Sequence, residues 1–283
     1  MINGNTLSGI EIELTGYEPE LIRAAYDAGL TANPHKCSYH CGYAGCCGHD
    51  ENRANLLTVQ DDCTVAAEFI TRPFRLGDSE AWQKLELFSG LLTDFRAYAE
   101  PNDNTGCHVH IDAGVLDALP SRNVRNKRIN GREQLAQFFF PLQDSLEIFA
   151  GGQYNKVRAY NRRITQSDAY RARGEWLNLN PGRPTVEFRL WNGSVSMWRW
   201  RMFAGISAGM VAAVADGKTI DGRRKTPTLT QALRGYLDDE TLDLIGRQAI
   251  HNLKLHPKND DGSFARPDDE PTGSGWTVSP TDW

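Results

Sequence analysis

The chain has 283 residues, of which 40% are hydrophobic and 24% charged, the composition of an ordinary soluble globular protein. Its 31 basic and 36 acidic residues give a net charge of -5, which argues against a broad basic face for nucleic acid. The apolar stretch 202–215 is shorter than the roughly 20 residues of a bilayer span, so we expect no membrane partner. Six cysteines and no secretory signal predict a reducing, cytoplasmic location.

Strand and helix patterns alternate along the chain without an internal repeat. Apolar residues at every second position predict strands, and apolar residues at helical spacing predict helices. In chain order, the predicted elements are strand 6–15, helix 18–29, strands 55–60 and 65–71, helix 78–98, strand 105–112, helix 133–150, strands 176–180 and 185–191, and helices 197–215, 228–237 and 240–253. A basic connector at 122–132 is predicted to link two of these elements.

Ionisable residues share one face on several of the predicted strands. They are Glu11 and Glu13, His108 and His110, and Glu187 and Arg189, with Glu68 on a fourth strand. The two-residue strand period places the members of each pair about 6.6 Å apart. Such residues can form the hydrated outer face of an antiparallel sheet. However, two carboxylates about 7 Å apart repel by about 2 kcal/mol at an effective dielectric of 20, and a bound divalent cation would remove that cost.

Five sequence motifs occur in an order that resembles a known family. They are GIEIE at 9–13, DDC at 61–63 leading to AEFITRP at 67–73, GCHVHI at 106–111, LNLN at 177–180, and TVEFRLWNG at 185–193. Together they resemble the ordered motifs of the amidoligases. That family belongs with the carboxylate-amine ligases of the glutamine synthetase and glutamate-cysteine ligase fold.

The resemblance implies an α+β fold with a curved, mostly antiparallel sheet and helices packed on one face, like the catalytic domain of glutamine synthetase. We expect this catalytic domain at 1–256, with a Cys/His-rich insertion at about 31–53 and a loose tail at 257–283. The other face of the sheet would bind ATP and two or three Mg²⁺ ions. The implied reaction is amide formation through an acyl phosphate.

The resemblance also implies roles for single residues. The implied metal ligands are Glu11, Glu13, Glu68, His108 and Glu187, the implied catalytic residues are Arg189, Glu187 and His110, and the candidates for binding substrate or phosphate are Arg162, Arg173, Asn178 and Arg189. His110 would lie nearer the nucleotide phosphates, and Arg189 would steady the transferred phosphoryl group. Two structural alternatives remain open: an ion pair between Arg189 and Glu187, and a solvated basic segment at 154–176.

Seven cysteine and histidine residues fall within fifteen positions of the predicted insertion. They are His35, Cys37, His40, Cys41, Cys46, Cys47 and His49. Thiolates favour zinc over magnesium, so four of these side chains could form one structural zinc site. The spacing is not that of a standard zinc finger. Free thiols and a disulfide are the alternatives.

The sequence therefore predicts an ATP-dependent carboxylate-amine ligase acting on small-molecule or peptide carboxylates and amines. A phosphotransferase that uses the same ATP and magnesium site is a second hypothesis, distinguished by whether phosphate stays on a product. The third is a non-catalytic binding module that keeps the sheet. The sequence does not identify the substrates or the oligomeric state.

Overall fold

The computed structural model describes residues 4–31, 33–38, 55–61, 64–99, 105–124, 127–150, 163–164, 176–220 and 227–255. The strands are β1 (Leu7–Leu14), β2 (Cys37–Ser38), β3 (Leu57–Asp61), β4 (Ala67–Thr71), β5 (Phe74–Arg75), β6 (Gly106–Asp112), β7 (Arg122–Val124), β8 (Lys127–Ile129), β9 (Leu177–Asn178) and β10 (Thr185–Asn192). The helices are α1 (Leu21–Asp27), α2 (Ser79–Asp94), α3 (Gly114–Asp117), α4 (Gly131–Phe139), α5 (Gln143–Ala150), α6 (Met197–Ala215), α7 (Leu229–Ala232) and α8 (Asp239–Leu255).

Eight of the strands form one sheet in the order β2-β3-β4-β1-β6-β10-β9, with β5 pairing to β1 beside this path. Each pairing is antiparallel except that of β2 with β3, which is parallel. β1 lies at the centre, between β4 and β6. The prediction of an α+β fold with a mostly antiparallel sheet is therefore confirmed.

The helices pack on one face of the sheet. That face carries the alternate apolar residues of β1, β6 and β10, including Ile10, Ile12, Val109 and Phe188, which are all fully buried. Helix α6 packs against β1 and β6, and α5 packs against β10. Since successive strand residues point to opposite faces, the ionisable residues between these apolar positions lie on the other face.

Local sequence signals explain two of the long helices, α2 and α6. Asp78 caps α2 by accepting hydrogen bonds from the backbone N–H groups of Glu80 and Ala81, a contribution of about 1 kcal/mol. Helix α6 is apolar around most of its circumference and is buried from Met202 to Val214 apart from Ala212, as expected of a helix inside a core. Among the described residues, no helix combines the length and apolarity that a bilayer crossing requires.

Some predicted element boundaries were wrong. The single helix predicted at 133–150 is two helices, α4 and α5, joined by a 3₁₀ turn at Phe140–Leu142, because Pro141 cannot donate a helical hydrogen bond. The connector at 122–132 contains the β7–β8 hairpin and the start of α4. The helix predicted at 228–237 is the short α7 alone. The predicted tail lies outside the described residues, and the domain limits stay a prediction.

Candidate active site

The strand register brings the carboxylates and imidazoles of four strands together on the face opposite the helices. Glu13 on β1 stands directly opposite Glu68 on β4. On the other side of β1, Glu11 stands opposite His108 of β6. His110, two positions further along β6, stands opposite Glu187 of β10. The four strands thus form a continuous row of acids and histidines across the centre of the sheet.

A β-bulge in β10 brings Arg189 close to this row. Phe188 pairs with Val109, but the next pairing is Trp191 with Cys107. Arg189 and Leu190 therefore share the space opposite one residue of β6, a local irregularity that redirects side chains. Arg189 Nη1 donates a hydrogen bond to Glu187 Oε1 at 2.6 Å. The structure therefore contains the ion pair between Arg189 and Glu187 that the sequence analysis left open as an alternative to a catalytic role for Arg189.

Glu11 connects the two histidines. Its Oε2 lies 2.8 Å from His108 Nδ1, and its Oε1 lies 2.8 Å from His110 Nε2. Burial alone would raise the pKa of Glu11, but the hydrogen bonds and charges of both histidines outweigh it and hold the pKa well below its usual value. Glu11 is therefore ionised at neutral pH, with both oxygens directed at nitrogen donors.

Glu13 and Glu68 are two buried carboxylates on adjacent strands. The exposed fraction is 9% for Glu13 and 7% for Glu68. Glu13 Oε2 accepts a hydrogen bond from the backbone N–H of Gly106, and its Oε1 lies 3.8 Å from His108 Nε2. Burial raises the pKa of Glu13, although His108 and the Gly106 N–H act in the opposite direction. The charge on Glu13 is thus disfavoured when no cation is bound.

Glu187 is held by a hydrogen-bond donor at each oxygen. Besides the Arg189 contact at Oε1, its Oε2 accepts a hydrogen bond from Asn178 Nδ2 at 2.9 Å. Burial would raise the pKa of Glu187, but the positive charges of Arg189 and His108 lower it on balance. Asn178 stands opposite Glu187 in the β9–β10 pairing. The side chain that was predicted to bind substrate therefore orients the Glu187 carboxylate.

His110 has one contact that the sequence analysis did not assign. Its Nδ1 lies 3.3 Å from Thr185 Oγ1, and its Nε2 faces Glu11. Burial acts to lower the pKa of His110, but Glu11 and Glu187 raise it on balance, while the charge of Arg183 acts in the lowering direction. The two-residue strand period places Thr185 on the same face as Glu187. The sequence motif at 185–193 therefore already indicated that Thr185 belongs to this face.

Two groups of side chains are close enough to hold metal ions. One comprises Glu11, Glu68 and His108, and the other comprises Glu11, His110 and Glu187; within each group the donor atoms lie within 4.8 Å of one another. Glu11 belongs to both, as a bridging carboxylate would. Mostly anionic oxygen donors in a buried setting suit hard divalent ions such as Mg²⁺. The residues therefore fit a site for two metal ions.

Several predicted residues lie outside the described residues. They are Arg162 and Arg173 of the arginine-rich stretch, and His40, Cys41, Cys46, Cys47 and His49 of the insertion. In the described part, His35 is exposed, and Cys37 is buried in β2 with its Sγ 3.7 Å from Asn33 Nδ2. The zinc site stays a prediction.

Comparison with known proteins gives distant structural similarity. No protein-family model matches the chain, and no curated protein sequence matches it. Among solved structures, it resembles the ligase PafA in complex with the prokaryotic ubiquitin-like protein Pup, at 12% identity and a TM-score of 0.39 over 91% of this chain and 59% of the PafA chain. It also resembles GmaS in complex with ADP, at 12% identity and a TM-score of 0.46 over 89% of this chain and 70% of that chain. The chain thus spans little more than half the length of PafA.

Proposed function

We propose that this chain is an ATP-dependent carboxylate-amine ligase that forms an amide through an acyl phosphate. The observation that carries the proposal is the position of Glu11, whose two oxygens serve two adjoining donor groups on one buried sheet face. The motif order that resembles the amidoligases supports it independently. The catalytic domain would span residues 1–256, with carboxylates and amines, free or in peptides, as substrates.

The chemistry requires two anions to approach each other, because a substrate carboxylate must attack the terminal phosphate of ATP. Mg²⁺, when bound by Glu11, Glu13, Glu68, His108 and Glu187, would supply charge neutralisation for the phosphates. Glu187 fixes one edge of the Arg189 guanidinium at 2.6 Å. The group is planar and always positively charged, so it would stabilise charge on the moving phosphoryl group.

Other polar residues on this sheet face would orient the side chains of Glu187 and His110. Asn178 keeps Glu187 in one orientation through its side-chain amide. Thr185 and Glu11 together fix the ring plane of His110, which would lie beside the phosphates. Arg162 and Arg173 complete the proposal as binding residues for the substrate.

The test follows the oxygen atoms of the reaction. Amino acids and amines are screened for stimulated release of ADP, and the best carboxylate is then labelled with oxygen-18. An acyl-phosphate mechanism transfers one labelled oxygen to the released inorganic phosphate. Glu187→Gln should remove ADP release, whereas the exposed Glu86→Gln control should not.

Three outcomes would contradict the proposal. Release of AMP would indicate adenylation, and a stably phosphorylated product would indicate the phosphotransferase. Phosphate without the label would show that the carboxylate is not activated by phosphorylation.

A further inference from the structure

The exposed turn between β9 and β10 is held by several hydrogen bonds. Asn180 accepts the Arg183 N–H at its carbonyl (3.1 Å) and the Gly182 N–H at its side-chain oxygen (2.9 Å). The Pro184 carbonyl accepts the N–H of Ala113, which follows β6, at 2.9 Å. The turn is thereby tied to a neighbouring strand as well as closed on itself.

A buried arginine of α4 holds the same turn from the helix side. Arg132 is 5% exposed; its Nη1 donates to the carbonyls of Asn180 (2.6 Å) and Thr185 (3.3 Å), and its Nη2 donates to that of Arg183 (2.8 Å). On its other edge, Nε and Nη2 each contact one oxygen of Asp117 at 2.6 Å. One guanidinium therefore contacts three main-chain carbonyls, two in the turn and that of Thr185 at the start of β10.

The clamped turn presents two side chains to the acidic row. Thr185 contacts His110 directly. Arg183 is exposed, and it forms no ion pair with any residue in the described part of the chain. The pairing with β6 continues to Pro184, whose carbonyl accepts the Ala113 N–H, so the two-residue strand period places Arg183 on the same face as Thr185. A hydrogen-bonded backbone thus carries an arginine that has no carboxylate partner among the described residues to the edge of a site rich in carboxylates.

The spacing favours an extended anion over a single carboxylate. Arg183 lies four positions before Glu187, which corresponds to about 13 Å of extended chain. An anion bound through a metal ion at the group of Glu11, His110 and Glu187 would have to extend outward to meet the Arg183 side chain. A nucleoside polyphosphate has both the length and the repeated negative charge for this. The fork of an arginine also matches phosphate oxygens.

We infer that Arg183 binds the polyphosphate of the nucleotide at the His110 edge of the site, and that Arg132 is the residue that positions it. The inference rests on the proposed function, since it assigns a residue to nucleotide binding in that same site. The clamp lowers the entropic cost of binding because the turn is ordered before the ligand arrives.

The first test measures binding of Mg·ADP to the full chain by titration calorimetry. Arg183→Ala should weaken the affinity about tenfold, the usual effect of losing one hydrogen bond to a charged group, and should reduce its salt dependence. Arg183→Lys should fall between Arg183→Ala and wild type. Arg128→Ala, which removes an exposed arginine from the β7–β8 hairpin, serves as the matched control.

The outcomes separate the two proposals. If wild type binds Mg·ADP and Arg183→Ala binds it equally well, the inference is wrong and the proposed function stands. If wild type itself does not bind Mg·ADP, both fail. Adenosine serves as a probe without phosphate, and an equal loss of adenosine binding would also overturn the inference.

The second test asks whether Arg132 acts through Arg183. Arg132→Lys should weaken Mg·ADP binding in the wild-type background but add little in the Arg183→Ala background, because coupled residues give non-additive effects. Asp117→Asn, which loosens the same guanidinium from its exposed side, provides a second cycle if Arg132→Lys does not fold. Additive losses in the cycle would overturn the positioning role.

Discussion

Neutralising one buried carboxylate should stabilise the metal-free protein while impairing its function. Glu13 and Glu68 stand directly opposite each other on adjacent strands, and both are buried. Directly opposite residues of an antiparallel pair have Cβ atoms about 5 Å apart, and at that distance and an effective dielectric of 20 two charges repel by about 3 kcal/mol. Burial already raises the pKa of Glu13, so part of this cost is relieved by protonation. For Glu13→Gln without magnesium, we expect a gain of about 1–2 kcal/mol in the free energy of unfolding.

The assay is urea unfolding followed by tryptophan fluorescence, with chelator and then with excess Mg²⁺. Wild type should gain about 3 kcal/mol when magnesium stands a hundredfold above its dissociation constant. Glu13→Gln should gain much less, and its ADP release should be lost. The exposed Glu86→Gln control should stay within about 0.5 kcal/mol of wild type in both conditions.

Two results would refute this reasoning. A Glu13→Gln variant that is less stable than wild type in chelator would show that the carboxylate stabilises the apo fold. Equal stabilisation of both proteins by magnesium would remove Glu13 from the metal ligands.

Three further predictions concern residues away from the acidic row or at its margin. The hydrogen bond with Arg132 lowers the pKa of Asp117. The stability that this pair contributes is therefore present above the ordinary Asp pKa and is lost as the pH falls through the lowered value. In urea unfolding, the loss of unfolding free energy caused by Asp117→Asn should accordingly become smaller in acid. Gly131→Ala should cost at least about 2 kcal/mol in thermal unfolding, because a Cβ there would lie 2.0 Å from the Leu116 carbonyl oxygen. Elemental analysis should find about one zinc per chain, and a zinc-free protein with six titratable thiols would favour free cysteines.

The sequence predicts which residues share a strand face but not which residues stand opposite each other. The two-residue period already placed Glu11 with Glu13, and Glu187 with Arg189, on common faces. It carries no information on strand register, so the opposition of Glu13 and Glu68 emerges only from the folded sheet. Register depends on pairing partners that are distant along the chain.

The importance of Arg132 was missed for a related reason. In the sequence it is the last residue of a basic connector, where arginines usually face solvent. The structure places it in the first turn of α4, 5% exposed, with Asp117 on one side and the β9–β10 turn on the other. The carbonyl groups that Arg132 contacts lie 48 to 53 residues away in the sequence. Every residue has a main-chain carbonyl, so the sequence does not indicate which of them Arg132 contacts.

The central position of β1 has a consequence for how the protein folds. β1 lies at the start of the chain, yet its neighbours in the sheet are β4 and β6, and β6 in turn needs β10, at Thr185–Asn192. During synthesis, β1 with its fully buried residues Ile10, Ile12 and Leu14 is therefore exposed long before the last strand of the row exists. Contacts this distant in sequence slow folding and prolong the exposure of unpaired strand edges. The acidic row can assemble only after synthesis has advanced from Glu11 on β1 to Glu187 on β10, 176 positions later.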